Sequence, residues 1–293
     1  MKKLQTAHFR FDGKKPYSVK ETPTLVEPFY TDEADRGQQL DVLSERMDQA
    51  QNQMHAHEKY GLVVLFQAMD AAGKDSSIRH VFKGVNPSRF RVASFTKPTK
   101  EDLAHDYLWR FWHKLPERGI IGIFNRTYYE EVLAMKVHPE RLAEDTNIPD
   151  EFIENLPRLW KERYTDIANF EFYLHRNGFR VVKFYLHVAK KEQGNRLIAR
   201  LKDDEKQWKL SDNDLKERQE WPAYMQAYEE AINATATPLA PWYVIPSDDR
   251  DNQQLIIATI MTEILESLPV TFPEKDDKEA KRLIREIEKQ DKG

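Results

Sequence analysis

The sequence predicts an α/β fold, a mostly parallel sheet covered by helices on both faces, and three observations predict it. Short apolar runs rich in β-branched residues recur along the chain, amphipathic helical stretches separate them, and no internal repeat or Gly/Ser-rich linker divides the 293 residues. Residues 1–33 carry Pro16, Pro23 and Pro28 with little periodicity and read as an irregular N-terminal arm lying over the rest. From Glu33 to about Tyr60, Leu40, Leu43, Met47, Ala50 and Met54 recur at spacings of three or four, which predicts a helix. Gly61–Gln67 (GLVVLFQ) is too short for a helix and reads as a strand buried on both faces. Arg91–Phe95, Ile120–Phe124, Phe179–Val188 and Trp242–Ile245 are read as strands in the same way. Helices are expected over Ile78–Lys83, Glu101–His113, Tyr128–Met135, Asp150–Asn177 and Gln253–Leu268. Residues 274–293 form a charged tail, with Leu283, Ile284 and Ile287 on one face of a solvated helix or frayed end.

Composition supports one folded domain over 1–293. Apolar residues make up 40% and aromatics 11%, enough for a core, so disordered and collagenous classes are excluded. The absence of cysteine excludes a disulfide framework, a thiolate zinc site, an iron–sulfur cluster and a cysteine nucleophile. With 45 basic residues against 49 acidic, the net charge of −4 argues neither for nor against an anionic partner; only local clustering can. No sustained basic excess supports nucleic-acid binding. No apolar run follows the basic start Met1–His8, and no window approaches the roughly 20 apolar residues of a membrane span, so a cytoplasmic protein without membrane contact is expected. His55 and His57 lie two apart on different helix faces and no H-E-x-x-H pattern exists, while His187 reads as a hydrogen-bonded structural residue in a strand.

The most informative segment is Ala68-Met69-Asp70-Ala71-Ala72-Gly73-Lys74-Asp75-Ser76-Ser77, which follows the first strand and precedes a helix. That is the context of a phosphate-binding loop, where unpaired backbone N–H groups and the helix dipole favour an anion and Lys74 adds a full positive charge. The match to the Walker A pattern G-x-x-x-x-G-K-[ST] is imperfect: Ala68 replaces the first Gly and Asp75 replaces the hydroxyl residue. A plain strand-to-helix turn is the competing reading. Asp70 favours chemistry, because a carboxylate among phosphate oxygens is repelled unless a metal ion or proton intervenes. Arg79, His80 and Lys83 follow on the helix, where cations near the first turn sit badly without an anion.

Two further clusters accompany the loop. Asn125-Arg126 ends the third strand, where open α/β sheets bind ligands, although an Asn cap beside an exposed Arg explains the pair equally well. Ala189–Ser211 carries Lys190, Lys191, Arg196, Arg200, Lys202, Lys206 and Lys209, with Arg196 and Arg200 on one helix face. Such a run is either solvated surface or a mobile lid.

Five stretches in this order, MDAAGKD (69–75), FNRTYYEEVL (124–133), KEQ…R…R…DDEKQWKLS (191–211), YMQAYEEAI (224–232) and APWYVIPSDD (240–249), resemble the polyphosphate kinase 2 family from about residue 30 to 268. The resemblance implies a P-loop kinase-like three-layer α/β/α fold with a helical lid at about 189–222. It implies reversible phosphoryl transfer between inorganic polyphosphate and AMP, ADP or ATP, assisted by Mg²⁺ (Mn²⁺ as an alternative), in a homo-oligomer, a dimer or tetramer. Asp70, Lys74 and Arg126 fall on the family's catalytic positions, and Arg196 matches a lid arginine. Ala71, Ala72, Gly73, Asp75, Ser76, Arg79, Lys83, Asn125, Glu130, Arg200 and Lys206 fall on phosphate- or nucleotide-binding positions. Asn125 departs from the family's usual Asp and, with Glu130, resembles the subgroup that phosphorylates both AMP and ADP; the departure loads metal ligation onto Asp70. The alternatives are an ATP-dependent nucleotide kinase and a non-catalytic nucleotide- or polyphosphate-binding module.

Overall fold

The computed structural model describes residues 4–142, 147–205, 212–274 and 277–291. Six strands form one sheet: β1 (Arg10–Phe11), β2 (Gly61–Ala68), β3 (Phe90–Ser94), β4 (Ile121–Asn125), β5 (Phe179–His187) and β6 (Trp242–Pro246). Their order is β1-β6-β5-β2-β4-β3, parallel throughout except for β1, which pairs antiparallel with β6. β2 and β4 are apolar because both faces are covered: every residue of β2 is buried, as are all but the last of β4. β3, at the edge, stays partly exposed.

Eight helices of eight or more residues are described: α1 (Glu33–His57), α2 (Lys74–Val81), α3 (Leu156–Arg176), α4 (Lys190–Leu201), α5 (Asp212–Gln219), α6 (Trp221–Thr235), α7 (Arg250–Glu266) and α8 (Asp277–Gln290). α7 packs against α1 and α2, while α3 packs against β5 and α6, giving a helical layer on each side of the sheet. The chain leaves β4, crosses over β2 and returns as β5 on its other side, so the carboxyl end of β2 is a topological switch point. Ligands of open α/β sheets bind there, because the flanking loops diverge and leave a crevice.

The arm differs from its expectation as an irregular segment. Arg10 and Phe11 add an edge strand against Tyr243 and Trp242, and Phe9 and Tyr17 are buried in the core. The helix expected over Glu101–His113 is two short turns, Lys100–Leu103 and Trp109–Trp112, and Tyr128–Met135 becomes a 3₁₀ turn (Tyr128–Val132) followed by Ala134–Val137. The tail forms α8, with Leu283, Ile284 and Ile287 all exposed. His187 is buried, but its Nδ1 has no partner among the described residues, which corrects its expectation as a hydrogen-bonded residue.

Candidate active site

β2 runs into the loop Met69–Gly73 and α2 begins at Lys74. The turn needs two left-handed residues, Ala71 (φ 61°) and Gly73 (φ 110°). Glycine takes that conformation freely, whereas at Ala71 it costs on the order of 1 kcal/mol. A Cβ on Gly73 would also come within 3.1 Å of Gln253 Oε1. The first amide of α2 bonded to the loop is that of Ser77, which donates to Gly73 O at 2.9 Å. The amides of Lys74, Asp75 and Ser76 are therefore the free donors of a helix start, aimed at the crevice.

The loop is clamped from beneath by Arg196, which is 6% exposed. Its Nη1 donates to Ala72 O at 3.0 Å, its Nη2 donates to Ser247 O at 2.6 Å and Asp248 O at 3.0 Å, and its Nε donates to Glu192 Oε1 at 2.8 Å. This guanidinium joins the loop to the end of β6. Its donors are spent on protein carbonyls and on the Glu192 carboxylate, so in this structure the arginine that the resemblance matches to a lid position is a buried brace. Gln253, from α7, adds bonds to Ala72 O (3.3 Å) and Ser247 Oγ (3.0 Å).

Lys74 curls back, with Nζ donating to Ala68 O at 2.8 Å. Asn125 ends β4 in register with Phe66 and Ser94, and its Nδ2 donates to Asp75 Oδ1 at 2.7 Å. Arg126 follows at φ 62°, an uncommon conformation for a side-chain-bearing residue, and is exposed. Glu130 is half-buried, and burial pushes its carboxyl up; Lys74, Arg126 and a hydrogen bond from Gln67 oppose that, and Asp70 adds to it. One carboxyl thus feels Asp70, Lys74 and Arg126 together, which places two acids and two bases around one crevice. Asp70 is half-buried and makes no hydrogen bond or ion pair with another described residue.

A buried polar network supports this rim from below. Lys183, on β5 and fully buried, donates to Glu171 Oε2 at 2.5 Å, Tyr129 Oη at 3.1 Å and Thr235 O at 2.9 Å. The hydroxyls of Tyr128 and Tyr129 donate to Glu171 Oε1 at 3.0 and 2.8 Å. Burial pushes the Glu171 carboxyl up and the Lys183 ammonium down, and their contact opposes both shifts. Every polar group in the pair has a partner, so it anchors the 126–131 turn without leaving a charge stranded.

Of the other residues expected at the site, Ser76 lies in the first turn of α2, where Gln254 reaches its hydroxyl at 3.4 Å. Arg79 is an exposed residue farther along α2, and Lys83 is exposed just beyond its end. Arg200 is half-buried on α4; burial holds down the pKa of Arg250, and the charges of Arg196 and Arg200 add to that. Lys206 lies outside the described residues, as does Lys209. Sequence reasoning missed Arg250 and Gln67. Arg250 opens α7, and a cation in a first helical turn is the same signal that drew attention to Arg79. Gln67 carries no local signal, since its role is set by Thr127 Oγ1, to which it donates at 2.9 Å.

The donor set bears on a metal. No three His, Asp or Glu side chains among the described residues group as a metal cage. A partnerless carboxylate beside phosphate-directed amides suits Mg²⁺, which takes one or two carboxylates and completes its shell with water and phosphate oxygens.

Comparison with known proteins bears on the family of the chain. The family model for polyphosphate kinase 2 (PPK2) matches residues 30–273. An ADP-polyphosphate phosphotransferase of Rhodopseudomonas palustris is 43% identical over 284 residues, covering 97% of both chains. An AMP/ADP-polyphosphate phosphotransferase of Meiothermus ruber is 41% identical over 245 residues, 84% of this chain and 86% of the relative. The crystal structure of polyphosphate kinase 2 from Arthrobacter aurescens TC1 superposes with a TM-score of 0.84 at 32% identity, covering 96% of each chain. By motif, fold and family model alike, the chain belongs to the polyphosphate kinase 2 family.

Proposed function

We propose that this protein transfers the terminal phosphoryl group of inorganic polyphosphate to ADP and to AMP, reversibly and with Mg²⁺. The observation that carries the reading is the meeting of Asp70, Lys74, Arg126 and Glu130 at the switch point, beside the free amides of α2. Phosphoryl transfer passes through a loose transition state with charge spread over phosphate oxygens, so positioned cations and amides supply most of the catalysis. Lys74 and the loop amides hold the migrating group, Arg126 neutralises charge on the oxygens, and Asp70 would hold the metal ion. Mg²⁺ held by Asp70 would supply positive charge against the phosphate oxygens. Asn125 and Asp75 tie the loop to β4, keeping Lys74 and Arg126 in one frame.

A cavity of about 410 Å³ is lined by residues that include Leu103, Tyr107, Arg110, Ile148, Pro149 and Arg163. Glu131, next to Glu130, also faces it and accepts from Arg163. Its lining combines apolar side chains with paired charges, Arg110 beside Asp102 and Arg163 beside Glu131, and such a mixed cavity suits the nucleoside of the acceptor. The reading also includes a cytoplasmic setting and a homo-oligomer; no helix among the described residues is long and apolar enough to cross a membrane. The test supplies long polyphosphate, Mg²⁺ and either AMP or ADP with no ATP, and follows the phosphorylated nucleotides over time. Product from both acceptors is expected. No product from either refutes the reading, and product from ADP alone refutes its AMP part.

A further inference from the structure

The crevice is at the carboxyl ends of the strands. The opposite pole, at their amino ends, carries a group of cations that the crevice does not use. Lys59 precedes β2, Arg118 precedes β4, Arg176 ends α3 and Arg180 lies near the start of β5. Together with Tyr60 and His175 they line an open cavity of about 490 Å³. Elsewhere arginines take carboxylates, as Arg46 does on Glu266 and Arg158 on Glu162. None of these four cations has a carboxylate within 4.0 Å among the described residues, although Glu58 and Glu117 are their neighbours in the chain.

The guanidinium groups are nonetheless held in place. Arg180 lies over Tyr60 (5.6 Å), Arg118 over Phe179 (5.5 Å) and Arg176 over Phe172 (4.7 Å). Arg118 donates to Asn177 O at 3.0 Å, and Arg180 donates to His175 Nδ1 at 2.9 Å, so that nitrogen carries no proton. Part of the charge answers the carboxyl ends of α1 and α3, but each helix end supplies only about half a negative charge. Stacked, preorganised cations without carboxylates suit a ligand with many phosphate oxygens.

We propose that this pole is an exosite for the polyphosphate chain, holding a stretch of the polyanion remote from the phosphoryl group being transferred. The inference rests on polyphosphate being the donor at the crevice. β2 has eight residues, so the two poles lie roughly 25 Å apart at about 3.3 Å per residue. Only a chain long enough to round the molecule engages both, and its second attachment is then intramolecular, which raises apparent affinity without a new contact at the crevice. Chain length therefore separates the exosite from the site of transfer.

The test is an Arg118→Glu/Arg176→Glu double variant, assayed with Mg²⁺ and ADP against long polyphosphate and against the shortest polyphosphate that supports turnover. For the long chain, KM is expected to rise about tenfold with kcat unchanged. The slope of log KM against log salt should fall by roughly 0.7 for each cation removed. For the short chain KM should stay within about twofold of the parent's, since it never reached the pole. An unchanged KM for the long chain overturns the proposal. So does an equal rise for both lengths, which would put these cations in the path to the crevice. A single-stranded oligonucleotide that binds the parent as tightly as long polyphosphate, and loses that binding in the variant, overturns the assignment to polyphosphate. Absence of turnover by the parent with any chain refutes the donor reading instead, and the two failures are thereby distinct.

Discussion

Replacing Arg196 by Met separates a brace from a catalytic arginine. Methionine is shorter than arginine but keeps an apolar stem, so the change removes the charge and the donors while retaining part of the packing. The carbonyls of Ala72, Ser247 and Asp248 then lose donors at 3.0, 2.6 and 3.0 Å in a buried setting. Breaking a buried charged contact by deleting one partner costs about 3–5 kcal/mol. The lower half of that range applies, because Glu192 is 30% exposed and water can solvate it once its partner is gone. At roughly 2 °C per kcal/mol for a chain of this size, the melting temperature should fall by about 6–8 °C. Turnover should also fall, measured well below the melting transition, because the loop carrying Lys74 loses its anchor to β6. Arg196→Lys should recover part of the stability, since an ammonium can still reach one or two of the carbonyls. The assay is thermal unfolding in parallel with steady-state kinetics. A variant that melts within about 2 °C of the parent yet has lost turnover would refute the brace, and would return Arg196 to direct contact with phosphate.

Two further outcomes follow from the same geometry. Lys74→Ala removes a half-buried ammonium whose one protein contact is Ala68 O, so stability should hardly change, while kcat/KM falls by about 10²–10³, the scale of a lost transition-state donor; near-normal turnover would sink the assignment of Lys74. His187 is pushed down to about 4 by burial, with Asp248 opposing, so the folded state keeps it neutral while the unfolded chain protonates near 6.5. Its contribution is therefore present above pH 6.5 and lost as pH falls toward 4, a loss on the order of 2 kcal/mol by pH 5. Unfolding of a His187→Gln variant, compared between pH 7 and pH 5, should show a shallower acid-side decline, and a decline as steep as the parent's would remove His187 as its source.

The strands were legible because a continuous apolar run between turn residues reports burial directly. All five long strands appear within a residue or two of their expected bounds, whereas the helices between them were less legible where polar caps restart the chain. Thr99 and Asp102 close a capping box on Lys100–Leu103, and Asp106 then accepts from the Leu108 amide, so the stretch to His113 cannot run as one helix. Asn155 caps α3 afresh, with Pro157 in its first turn, and so splits the stretch that begins at Asp150. The loop at 69–75 was legible because its signal is contiguous: an apolar strand, a glycine where the backbone must turn left-handed, a lysine and a helix. The brace was not. Arg196 is separated from Ala72 by 124 residues, and nothing in its neighbourhood distinguishes it from Arg200.

The departures of the loop from the Walker A pattern have a common explanation in these contacts. Ala68, in place of the first glycine, is the last residue of β2; it is still strand, and its carbonyl is what Lys74 rests on. Asp75, in place of the hydroxyl, accepts from Asn125 and so ties α2 to β4. A hydroxyl there could ligate a metal, but the carboxylate is engaged in holding the frame. That leaves Asp70 as the unpaired acid among the loop residues 68–75, set among Lys74, Arg126 and Glu130. Asn125 fits the same division of labour, because an amide can donate to Asp75 where a carboxylate would repel it. The substitutions at 75 and 125 are thus complementary: changing Asn125 to Asp would set two carboxylates against each other at the distance of the present hydrogen bond. The framing role falls to Asp75 and leaves Asp70 free for the metal role proposed for it, so the loop keeps its shape without the hydroxyl the pattern prescribes.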